Sequence, residues 1–172
     1  MMVSLPDGSE VHLNAESSIK YPPKSWAKQR EVILTGEAFF KVAEVGTPFS
    51  VRSGFVVTSV LGTSFNVRAR GIQVEVACVT GKVSVKSLQK AYEPVILSPG
   101  LASLVQQDSA PAQPYPFDLS QKIGWTKGEF YFQSMPLSDV FSEIARQFDI
   151  IIKIKAKIEN LTFTGRIRLS DK

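Results

Sequence analysis

The sequence is poor in residues that carry chemistry. Of its 172 residues, one is cysteine and one is histidine. A lone cysteine excludes a disulfide within the chain. Cys78 falls on the apolar phase of Ile72-Gln73-Val74-Glu75-Val76-Ala77-Cys78, where a thiol acts as a small buried hydrophobe. A lone imidazole excludes a histidine-cysteine metal cluster and a sheet roll that holds metal through several histidines. His12 lies between inward-facing Val11 and Leu13, which turns it to solvent on a strand, and nothing marks a partner that would make it the base of a nucleophilic triad. Gly81-Lys82 is not a phosphate loop, because Val76 stands where the first glycine is needed and Val83 where Ser or Thr must follow the lysine. No catalytic residue, metal or cofactor is expected.

Other absences bound the class. No run of about 18 apolar residues is present, and Met1-Met2-Val3-Ser4 has neither the basic nor the apolar part of a signal peptide. Charge of one sign is also missing as a block: 20 basic and 16 acidic residues are interspersed, which argues against nucleic acid as a partner. The net +4 is uneven, with nine Lys/Arg against six Asp/Glu in residues 121–172. At 44% hydrophobic and 21% charged, the composition is that of one ordinary globular domain or two small ones.

What is present is a succession of short alternating segments. Asp7-Gly8 between Val3-Ser4-Leu5 and Glu10-Val11-His12-Leu13 is a strong hairpin signal. Further strands are expected at Ser18 to Tyr21, Arg30 to Leu34, Ala38 to Val42, Phe49 to Ser53, Val56 to Leu61, Ser64 to Ala69, Ile72 to Val79, Lys82 to Lys86, Pro94 to Leu97 and Ala102 to Gln106. Gly62 reads as a corner between two of them. The spacing predicts a mainly β fold over residues 1–107: a two-sheet roll or sandwich of about a dozen short antiparallel strands.

Residues 108–121 hold Pro111, Pro114 and Pro116 and read as an extended, semi-rigid linker. Beyond it, residues 122–172 predict a small βαββ unit. Ile123 to Phe132 is a strand entered through glycines, and Pro136 opens a helix with the stripe Leu137, Val140, Phe141, Ile144, Ala145, Phe148. Ile150 to Lys155 and Leu161 to Leu169 follow as strands.

Val60-Leu61-Gly62-Thr63-Ser64-Phe65-Asn66-Val67, preceded by Leu34-Thr35-Gly36-Glu37-Ala38-Phe39-Phe40-Lys41-Val42 and by Leu5-Pro6-Asp7-Gly8-Ser9 with Leu13-Asn14-Ala15, resembles the FecR family of periplasmic sigma-regulator domains. Trp125, Gly128 and Phe130, Met135-Pro136-Leu137, and Phe148-Asp149 to Lys153 resemble the C-terminal domain of Bacteroidetes FecR-like proteins, itself similar to the signalling domain of TonB-dependent outer-membrane receptors. The resemblance implies a non-enzymatic anti-sigma regulator: an inner-membrane protein whose anchor lies outside this chain and whose periplasmic part meets the receptor's signalling domain. A cytoplasmic segment, also outside this chain, would hold the sigma factor. In the family the small domain continues with another helix and strand, so its sheet is expected to be truncated here.

Two site readings follow. Lys153, Lys155 and Lys157 share one face by period two, as do Arg166 and Arg168, so strands paired in phase would make one basic patch for an acidic receptor surface. Phe163, Ile167 and Leu169 would line an exposed edge strand, open to strand addition or to a homodimer. The alternative is a periplasmic carbohydrate-binding or glycan-processing β domain, in which two of Glu31, Glu37, Glu44 and Glu75 meet in space. Glu37 in Gly36-Glu37-Ala38-Phe39-Phe40 is the first to inspect, against the plainer reading of a turn glutamate bonded to backbone.

Overall fold

In a computed structural model, which describes residues 1–155 and 157–168, one long strand carries both halves of the β fold. Strand β4 (Arg30–Lys41) merges the two expected strands across Gly36, whose φ of +91° lets the chain bend without ending. A Cβ there would collide with Ser17, so the site excludes other residues on space as well as on conformation.

The first part of β4 pairs with β3 (Ser18–Lys20) and β5 (Phe49–Ser53), and the second with β2 (Glu10–Leu13) and β7 (Ser64–Arg70). On the first side the order continues through β6 (Val56–Val60) and β9 (Val83–Ser87) to β10 (Val95–Leu97). On the second it continues through β8 (Gln73–Cys78) and β11 (Leu101–Gln106) to β12 (Tyr115–Pro116). Strand β1 (Met2–Ser4) joins β2 through the expected hairpin. The chain changes halves at Leu61-Gly62-Thr63, where a Cβ on Gly62 would strike Glu44; Gly62 is thus the expected corner.

One pairing departs from the all-antiparallel expectation: β4 and β5 run parallel. Residues 42–48 return the chain beside the start of β4, where the Arg30 guanidinium donates to the Ala43 carbonyl at 2.8 Å and to that of Thr47. Its buried ion pair with Asp7 spans 2.6 Å.

The two halves curl so that their apolar faces meet. Val32, Val51, Val56, Val83 and Val85 from one side and Val11, Val67 and Val76 from the other are fully buried, each contributing roughly 1.5–3 kcal/mol. Phe40 joins the halves, stacked on Phe65 at 5.1 Å and edge-on to Phe49 at 6.1 Å. Cys78 is buried and unpaired as expected.

The proline-rich stretch lies along the sheet instead of standing off it. The Ala112 amide donates to Leu104 O, the Ser103 hydroxyl donates to Ala112 O at 2.7 Å, and Tyr115 pairs with Ala102. Proline is compatible with an outermost strand, which needs amides on one side only.

The C-terminal unit holds α1 (Leu119–Ile123), β13 (Glu129–Pro136), α2 (Leu137–Phe148) and β14 (Thr162–Arg168). Three expectations are corrected. The strand foreseen from Ile123 begins at Glu129, because Gly124–Lys127 form a 3-10 turn closed by Gly128 at φ +72°. Pro136 ends β13 instead of opening the helix. Ile150 to Lys155 form no strand: β14 pairs with β13 alone, so the described unit is βαβ and Ile151 stands 89% exposed. Phe130, Phe132 and Val140 form its core with Leu137, Ile144, Phe163 and Ile167 around them, whereas Phe148 is half exposed. Leu169 lies outside the described residues. Among those described, no helix is long and apolar enough to cross a membrane.

Candidate functional site

Strand pairing lines up a polar row on the outer face of the second half-sheet. Glu37 on β4 sits opposite Arg68 on β7, which sits opposite Glu75 on β8. Their sequence neighbours Ala38, Val67 and Val76 point the other way, into the core. The C-terminal unit covers this row, and a cleft of about 260 Å³ remains between them, lined by Glu37, Arg68, Glu75, Lys122, Trp125 and Glu143 among others.

Glu37 is only 4% exposed. Its carboxylate accepts hydrogen bonds from Asn14 Nδ2 and Asn66 Nδ2, each at 2.9 Å, and Arg68 Nε lies 3.8 Å away. The expected backbone-bonded turn glutamate is therefore a side-chain hub. Burial pushes its pKa up; Arg68 and the two asparagine bonds oppose that, and the nearby Glu143 adds to it.

Glu143, buried on α2, is the hub from the other side. Arg68 Nη2 lies 3.9 Å from it, Arg146 Nη1 pairs with it at 2.5 Å, and Gln147 Nε2 donates to it at 2.8 Å. Gln147 Nε2 also donates to Asn14 Oδ1 at 2.7 Å, and Arg146 reaches Glu16 at 3.2 Å. At the far end of the row Lys122 holds Glu75 at 2.7 Å, and the Tyr115 hydroxyl donates to the same carboxylate. Burial first, and then that carboxylate, pushes the Tyr115 hydroxyl pKa up.

Each of these three carboxylates is thus held by cations, amides or a hydroxyl, and Arg68 to Glu143, Gln147 to Asn14, Arg146 to Glu16 and Lys122 to Glu75 fasten the C-terminal unit to the sheet. Of the other glutamates considered, Glu31 lies on the opposite half-sheet and Glu44 in the loop beside Gly62. Sequence reasoning singled out Glu37 but missed Glu143, Arg146 and Gln147. Glu143 interrupts no apolar stripe, and only the surface it meets makes it buried.

Of the C-terminal site residues, Phe163, Arg166, Ile167 and Arg168 share β14, and the three lysines do not join them on a paired strand. Lys153, Lys155 and Lys157 lie outside any strand, so the premise of a lysine strand paired in phase with β14 does not hold. Arg168 pairs with Glu129 at 3.1 Å, and Arg166 lies over the Tyr131 ring at 5.9 Å. Phe163 and Ile167 face the small core.

Fold and seam together define a mainly β protein whose small C-terminal unit docks on the outer face of the larger sheet. A family model described as FecR protein matches residues 1–84, and one described as FecR, C-terminal, matches residues 129–172. Two crystal structures of a candidate anti-sigma factor from Parabacteroides distasonis ATCC 8503, at 1.65 Å and 2.50 Å resolution, superpose with TM-scores of 0.84 and 0.85. Each is 30% identical, over 99% of this chain and 81% of theirs. No match is found among curated proteins. The chain belongs to the FecR family, which is regulatory and not enzymatic.

Proposed function

We propose that this chain is the periplasmic, signal-receiving part of a membrane-anchored anti-sigma regulator. The observation that carries the reading is the match along 99% of the chain to a candidate anti-sigma factor. In this reading residues 1–107 are the body, residues 108–121 the tether and residues 122–172 the receiving unit. The partner of that unit is the signalling domain of a TonB-dependent outer-membrane receptor, and the sigma factor is held by a cytoplasmic segment outside this chain.

The surface offered to the receptor is the outer edge of β14. That strand has β13 on one side and no other strand among the described residues, and unpaired edge amides favour strand addition. Arg166 and Arg168 lie on that strand, Lys153, Lys155 and Lys157 come shortly before it in the chain, and together they supply the steering charge of this reading. Phe163 and Ile167 support the strand from the core side. The same edge could join two copies, and light scattering across a concentration series separates that use from receptor binding.

The test is calorimetry and stopped-flow mixing with the purified signalling domain of the receptor encoded beside this gene. Saturable binding that is lost on deleting residues 129–168 is expected. Combined Lys153→Glu, Arg166→Glu and Arg168→Glu should slow association and flatten its salt dependence. Absence of binding by the intact chain would remove the reading, and unchanged kinetics in the variant would remove this surface from it.

A further inference from the structure

The other half-sheet presents a second face, on the side of the core opposite the C-terminal unit. Strand registers place Lys20 opposite Ile33, Ile33 opposite Arg52, Arg52 opposite Val57 and Val57 opposite Lys86. One straight row therefore crosses β3, β4, β5, β6 and β9. Residues flanking it in sequence, including Val32, Val51, Thr58 and Val85, are buried, so the row faces outward. Adjacent strands lie about 4.8 Å apart, which sets Lys20, Arg52 and Lys86 at intervals of about 10 Å.

A parallel row runs beside it, with Glu31 at one end and the hydroxyls of Ser50, Ser59 and Ser84 following, and Lys82 extends the same face. Among the described residues none of Lys20, Arg52, Lys82 and Lys86 has an ion-pair partner, whereas the cations of the C-terminal seam are all engaged. The carboxylates nearest are Glu31 on β4 and Glu44, beside the corner at Gly62. Large apolar side chains are exposed around this face, Ile33 at 46%, Leu61 at 58%, Leu88 at 45% and Ile96 at 54%, and Leu61 and Ile96 share one shallow depression at its rim with Pro48.

From this geometry we infer that the face is a docking surface for an anionic phospholipid bilayer. Evenly spread, unpaired cations with hydroxyls between them match a surface of many equivalent headgroups. The exposed aliphatic residues suit shallow insertion at the headgroup boundary. A folded acidic protein would instead be met by a central anchor packed into the surface, and Arg52, at the middle of this row, stands exposed and without an ion-pair partner. Bound in this way, the β fold would lie on the bilayer with its C-terminal unit facing away, free to meet a partner. The inference does not depend on the anti-sigma reading.

The experiment is co-sedimentation of the full chain with phosphatidylcholine vesicles, with and without phosphatidylglycerol, over a salt series. Partition onto the mixed vesicles that weakens with salt is expected. Lys20→Glu, Arg52→Glu and Lys86→Glu together should lower the partition coefficient by at least about a hundredfold, near fivefold for each charge removed. Should the triple variant lose its β circular dichroism, the single Arg52→Gln, on an exposed side chain, must still show about fivefold. Lys153→Glu with Lys155→Glu should leave partition unchanged. Equal binding to neutral vesicles, no binding at all, or an equal loss in the Lys153/Lys155 variant would overturn the inference. So would binding to soluble polyglutamate with none to vesicles, which would give the face to an acidic protein.

Discussion

Glu37 carries a charge that burial opposes, and its consequence is a pH dependence of unusual sign. Its folded pKa is raised above the unfolded value, so the folded state holds the extra proton, and stability falls as pH rises from about 4.5 through that raised value. Glu37→Gln should therefore flatten the fall of melting temperature with pH above about 4.5; an unaltered slope would assign the effect elsewhere. Asp7 behaves in the opposite sense. Burial pushes its pKa up, but the Ser9 amide and Arg30 outweigh that and hold it low, so its contribution is present above about pH 4 and is lost as pH falls. Removing its partner leaves a buried carboxylate uncompensated, and Arg30→Ala should cost about 3–5 kcal/mol in urea unfolding. The outward placement of His12 and the inward one of Cys78 were legible, because strand period two assigns faces. Glu143 was not, since helix period marks apolar faces and says nothing of a polar surface docked from another element.

Among elements, the strands of the β fold were readable from alternation, because each has one wet and one dry face. Strand β4 was split at Gly36, since a glycine with positive φ reads as a terminator whether the chain turns there or bends and continues. Ile150 to Lys155 were misread for the converse reason. Alternating isoleucine and lysine is a strand pattern, but a strand also needs a neighbour, and β14 takes β13 instead. That segment, with Ile150, Ile151 and Ile154 exposed, should be the first opened to protease. Limited trypsin digestion is expected to cut first at Lys153 or Lys155, and a first cut within residues 1–107 would contradict the assignment. Arg168→Glu, by contrast, removes an exposed ion pair and should change stability by less than about 1 kcal/mol.

For the whole molecule, the boundary at Gln107 is a proposal that the sheet edge refines. Because Ala112 and Tyr115 bond to β11 and Pro111 is buried against the fold, a fragment ending at Phe117 should unfold cooperatively at a higher temperature than one ending at Gln107. Equal melting temperatures would show that the proline-rich stretch adds nothing to the fold. The seam between the units is fastened by polar and charged side chains, as separable domain contacts commonly are, with Trp125, Phe130 and Phe132 lining its cleft. Arg68→Ala should loosen α2 from the sheet, seen as faster amide exchange in residues 137–148, while the core around Phe40 stays protected.

Strand β4 takes two partners from residues before it and two from residues after it. Such non-local pairing is slow to assemble, on the order of milliseconds to seconds. A chain emerging N-terminus first can hold β4 only half paired until Arg70 has followed, and its valine and phenylalanine faces stay open to other chains for that interval. The interval in which β4 is open to other chains thus falls during biosynthesis; it ends for that strand when β7 pairs with it, and β8 to β11 then complete the core.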